Sequence, residues 1–100
     1  MTPRLAPVDF ALPEYGVFAL ESEHAPGFRM APSRHAFLEI FYVLHGAGAF
    51  EIAGKNHPCR EHDVVVVPPG DLHEIRDNPD GPLGLYGVGI APSLLAIDPD

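Results

Sequence analysis

The sequence predicts a small all-β domain, a sandwich or barrel built from short strands. Twelve prolines and ten glycines are spread over 100 residues, which leaves no room for long helices. Apolar runs recur about ten residues apart with turn signals between them, the spacing of a sandwich or barrel. Apolar residues make up 46% of the chain, enough for a real but small core in one domain.

Charge and cysteine usage narrow the function. Six basic residues stand against fourteen acidic ones, a formal net charge of −8. Such a chain repels phosphate backbones, so these residues are not expected to bind DNA or RNA themselves. Cys59 is the single cysteine, which excludes an internal disulfide and fits a reducing compartment. No apolar run approaches the ~18 residues of a membrane-spanning helix, and the start from Met1 to Pro7 lacks the apolar core of a signal peptide. A soluble, cytoplasmic protein without a membrane partner is the expectation.

Residues 1–14 carry Pro3, Pro7 and Pro13 and are expected to form an extended arm. A first strand is expected over Tyr15 to Glu23, then a break at Pro26 and Gly27, then a short strand over Phe28 to Ala31. His24 falls in the break and reads as a solvated loop histidine. The longest apolar segment runs from His35 to Gly46. As a strand it puts Glu39, Phe41 and Val43 on one face and Leu38, Ile40, Tyr42 and Leu44 on the other, so both faces should be covered. Glu39 is the odd member. Its carboxylate must be paired, hydrogen-bonded, in a wet cavity, or near enough to an edge to reach water. Gly46 to Gly48 marks a turn or bulge, and Ala49 to Ala53 returns as a strand. Gly54-Lys55 is the expected two-residue hairpin connection. Asn56 to His62 is polar and reads as irregular, with His57 and His62 at the surface.

Val64 to Val67 form a β-branched run suited to a strand buried on both faces. Pro68-Pro69-Gly70 stops it, because proline cannot donate to a sheet ladder and glycine can take the positive φ of a tight turn. His73 opens the returning strand, on a rigid mount just past the corner; the alternative is an ordinary hairpin whose histidine faces water. Asp77 to Gly81 is a loop signal. Leu83 to Ile90 is the last strand, and its glycines at 84, 87 and 89 point to bending or close backbone approach.

His35, Glu39 and His73 form the constellation of interest. Two imidazoles and one carboxylate are the donor set of a site that leaves positions open on iron or a similar ion. On a straight strand, however, His35 and Glu39 lie about 13 Å apart at ~3.3 Å per residue. Sharing one ion requires a bend near Ala36-Phe37, where no glycine or proline announces one.

Ser33-x-His35, three residues, Glu39, six residues and Gly46 resembles the first cupin motif. His62, five residues, Pro68-x-Gly70, two residues and His73 resembles the second, fifteen residues further on. The resemblance covers roughly residues 28–90 and implies a cupin-type β-sandwich or barrel, the jelly-roll-like double-stranded β-helix, in which the chain bends between the second histidine and the glutamate. It also implies that His35, Glu39 and His73 match three of four metal ligands, for Fe, Mn, Ni or Zn. Three positions depart from it: Ser33 replaces the first histidine, His62 the opening glycine, and Asp77 the closing asparagine.

Within the cupins, the run from His35 through Tyr42 to Gly48 looks most like the N-terminal effector-binding domain of AraC-type transcription regulators. So does Leu85-Tyr86-x-Val88-x-Ile90 followed by Ser93-Leu94-Leu95. Such domains bind a small effector inside the barrel and dimerise, while a separate helix-turn-helix region binds DNA. The expectation is therefore a barrel over residues 15–97 that senses a small molecule and forms a homodimer. Its pocket would be polar at His35, Glu39 and His73, with Tyr42 or Ser33 at the mouth. The rival from the enzyme class is a stand-alone cupin that uses a divalent transition metal on a small molecule. A third reading is a small oligomerising β domain with a vestigial pocket. Residues 98–100, Asp98-Pro99-Asp100, read as a tail or as the start of a helix that continues beyond them.

Overall fold

The computed structural model describes residues 16–95. The expected arm over residues 1–14 and the helix start at Asp98 lie outside them. Seven strands follow in order: β1 (Val17–Glu23), β2 (Leu38–His45), β3 (Ala47–Ile52), β4 (Lys55–Arg60), β5 (Val64–Val67), β6 (His73–Asp77) and β7 (Gly84–Ile90). A single helical turn, α1 (Pro92–Leu95), comes last. The strands form two antiparallel sheets, ordered β1-β7-β2-β5 and β4-β3-β6. This is a small all-β sandwich. Side chains of alternate residues meet between the sheets, where Val43, Phe50, Val67, Leu83 and Leu85 are essentially removed from water.

β2 obeys the alternation read from its residues. Glu39, Phe41 and Val43 are buried, while Leu38, Ile40 and Leu44 are half-covered and Tyr42 is exposed on the outer face. Gly46 follows with a φ of 85°. A side chain there would run into the carbonyls of Gly81 and Pro82, so the corner between β2 and β3 admits only glycine. The glycines of β7 leave room for neighbours' rings, Phe41 against Gly87 and Phe18 against Gly89, which is the close approach expected of them.

Several expectations are corrected. Val64 and Val66 are 60% and 49% exposed while Val65 and Val67 are buried, because β5 is an edge strand with one face outside. Asn56 to Arg60 is regular rather than irregular: it lies in β4, where an edge position tolerates Pro58. The hairpin turn is Ala53-Gly54, one residue earlier than expected, with φ of 49° and 80° as a two-residue primed turn requires. Phe28 to Ala31 makes only one bridge, Arg29 to Arg76, rather than a strand. Cys59 points from β4 into the core and is buried.

Candidate functional site

β2 does not begin at His35. The chain bends at Ala36-Phe37 and enters the sheet at Leu38, which removes the 13 Å objection (about that distance on a straight strand). Without glycine or proline, the bend is held by its neighbours. The His35 ring stacks on Phe37 at 4.8 Å, and the Gly70 amide donates to the His35 carbonyl at 2.7 Å. Ser33 and His73 exchange two backbone hydrogen bonds, at 2.8 and 2.9 Å. The Pro68-Pro69-Gly70 corner is thereby tied to the segment that carries His35.

The result brings three of the expected residues together. His73 Nε2 lies 3.3 Å and His35 Nε2 3.8 Å from Glu39 Oε1, and the donor atoms of all three side chains fall within 4.8 Å of one another. The side chains of His35, Glu39 and His73 are 9%, 8% and 2% exposed, so the trio is nearly dry. It lines a cavity of about 100 Å³ whose other walls include Leu20, Phe28, Met30, Phe41, Ile75 and Leu85.

Burial decides the electrostatics. It pushes the Glu39 carboxyl up to about 7 and the His73 imidazole below its ordinary value. The Asp71 carbonyl lies 3.3 Å from His73 Nδ1 and orients that nitrogen as the N–H donor. The neutral ring then turns a bare Nε2 lone pair toward Glu39 Oε1, which is buried and accepts no hydrogen bond. Two acceptors at that separation require a cation between them, a proton or a metal ion. Two ligands held ~2.1 Å from one ion can be at most about 4.2 Å apart. Glu39 meets this with both histidines, and the trio, which spans up to 4.8 Å, needs only a small rotamer adjustment to close on one ion. The residues therefore fit a divalent transition ion, with His73 in the tautomer that ligation needs.

Two expected pocket residues lie elsewhere. Tyr42 is on the opposite face of β2, where alternation must put it, and its hydroxyl pairs with His62 Nδ1 at 2.6 Å. Ser33 is buried beside His73, but its hydroxyl donates to the Ala31 carbonyl at 3.1 Å and it does not line the cavity. A missed residue is His24, whose side chain is 4% exposed and lines the cavity. A signal for it existed: His24 continues the inward phase of Phe18, Leu20 and Ser22.

Residues 15–97 match the family model described as the AraC-like ligand binding domain. An uncharacterised HTH-type transcriptional regulator of Bacillus subtilis, YfiF, is 35% identical over 43 residues, a match covering 43% of this chain and 14% of that protein. The chain thus matches about a seventh of that relative's length. A cupin protein of Bacteroides fragilis superposes with a TM-score of 0.72 at 20% identity, over 83% of this chain and 72% of its own. A predicted oxalate decarboxylase of Thermotoga maritima gives a TM-score of 0.63 at 28% identity, over 75% and 64%.

Proposed function

The chain belongs to the AraC-like ligand binding domain family, and on that premise we propose that it binds a small-molecule effector as the sensing part of an AraC-type transcription regulator. The observation that carries this reading is the buried His35–Glu39–His73 trio on an otherwise apolar cavity wall. Few polar groups on a greasy wall orient a ligand and set its specificity. At about 100 Å³ the cavity suits a molecule of a few heavy atoms rather than a drug-sized one. The acidic charge of −8 fits a domain that leaves DNA to another region. Among the described residues no helix is long and apolar enough to cross a membrane, in keeping with a cytoplasmic regulator.

The outer face of the β1-β7-β2-β5 sheet supports homodimerisation. Tyr42 pairs across the strands with Val64 and Tyr86, and Ile40 with Val66, four of these five being exposed. Monomers rarely show water such a patch.

The test is a thermal-shift screen of short-chain acids, alcohols and amides. A binder recovered unchanged after long incubation, and lost in Glu39→Ala and His73→Ala, is the expected result; conversion of the binder would overturn sensing in favour of catalysis. Sedimentation of wild type against Tyr42→Arg reads the dimer.

A second reading rests on Glu39 Oε1: His35, Glu39 and His73 hold a divalent transition ion, Fe, Mn, Ni or Zn. Such an ion would supply Lewis-acid polarisation of a bound oxygen, as in a stand-alone cupin enzyme. Elemental analysis of untagged protein, with His73→Ala as control, decides occupancy.

A further inference from the structure

We propose that His24 is a second ligand-recognition group of this cavity, and that the cavity takes a small molecule with an oxygen-bearing polar group at each end of a short apolar body. The inference rests on reading the cavity as the ligand site and adds what that ligand must look like.

Placement comes first. His73 and Asp77 open and close β6, with Ile75 between them on the same inward face. Four residues of strand separate their backbones by about 13 Å. His73 carries the end of the cavity where Glu39 stands. Asp77 carries the other end, because both of its carboxylate oxygens lie 2.9 Å from His24 Nδ1. Both imidazoles line the one cavity, and Ile75, also in its lining, lies on β6 between His73 and Asp77.

Orientation comes second. Asp77 lines the open groove between residues 28–32 and β6, not the cavity, whereas His24 lines the cavity, not that groove. The hydrogen bond from Nδ1 is thus on the outer side of the ring. The ring nitrogen outside this network, Nε2, is on the side that faces in. Ser22, one inward step before His24, adds a hydroxyl to the same end.

Rigidity comes third. The His24 amide donates to the Leu83 carbonyl at 3.0 Å, and the Leu83 amide returns a bond to Asp77 at 3.1 Å. Phe28 stacks on the imidazole at 3.7 Å, with the rings 15° from parallel. Backbone, carboxylate and ring face all fix one rotamer, which is how a recognition group is pre-organised. With the Nδ1 proton held by Asp77, Nε2 accepts from a ligand hydroxyl. A ligand carboxylate, already ionised in neutral solution, would be held by a proton taken up from solvent between its oxygen and Nε2.

The experiment uses imidazole-nitrogen NMR of the chain with two probes, γ-hydroxybutyrate with two polar ends and n-butanol with one. γ-Hydroxybutyrate should shift the ring nitrogens of both His24 and His73 and bind about tenfold tighter than n-butanol, the effect of one further charge-assisted hydrogen bond. His24→Phe should abolish that advantage, so that the two probes bind alike, and His24→Gln should restore part of it. If the probes move His35 and His73 while His24 stays silent, the inference falls and the sensing reading stands. If no imidazole responds to either probe, both fall. Should His24→Phe not fold, the wild-type spectra alone still decide.

Discussion

Two buried carboxylates face histidines inside this sandwich, and they are not alike. Asp77 is saturated: His24 meets both of its oxygens, and the Leu83 amide donates to one of them. Glu39 sits beside two imidazoles, yet its Oε1 accepts nothing. The first arrangement locks a loop to a strand. The second leaves an acceptor turned toward the bare Nε2 of His73, a state that a proton, an ion or a ligand can complete. Buried polar groups are nearly always satisfied, and this exception is what supports the binding site proposed at the Glu39 end.

The contrast can be broken by removing each carboxylate in turn. Asp77→Ala strands a buried imidazole and the Leu83 amide, and should lower stability by about 3 kcal/mol in chemical denaturation. A loss below ~1 kcal/mol would show that the lock is not one. Added Zn²⁺ should act on the Glu39 end alone. At about a hundredfold excess over its dissociation constant it should stabilise wild type by ~2.7 kcal/mol and leave His73→Ala unmoved. Equal stabilisation of both would place the ion elsewhere.

The smallest effect is a pH dependence in metal-free protein. Glu39 ionises near its ordinary 4.5 when unfolded but at about 7 when folded, so its contribution to stability falls as pH rises through that window. His73 works the other way, since its lowered value withdraws stability as pH falls below 6.5. Glu39→Gln should therefore be more stable than wild type at pH above ~8 by on the order of 2 kcal/mol, after allowance for solvent screening, and the gap should close in mild acid. A gap constant with pH would mean that the carboxyl is not held neutral.

Much of the fold and the trio could be read from residues alone, because both depend on short-range pattern. Alternation in Leu38 to His45 predicts which side chains face inward, and motif spacing selects His35, Glu39 and His73. Features fixed by distant partners could not be read. The bend at Ala36-Phe37 is held by an amide from Gly70, and the role of His24 depends on Asp77, 53 residues away. The four valines have no polar alternation, so nothing local reveals that β5 lies at an edge with one face in water. Conversely, β4 is mostly exposed, and the polar residues that suit an edge disguise it as loop.

The position of Cys59 makes the chain its own clock. The thiol points inward from an edge strand that is hydrogen-bonded on one side, to β3, and burial, reinforced by Asp63 and Asp77, raises its pKa. A thiol in that state reacts slowly with a disulfide reagent until β4 detaches. The labelling rate therefore counts excursions of one strand, separately from global unfolding. A ligand that tightens the sandwich would announce itself as a slower tick, without its own identity being known.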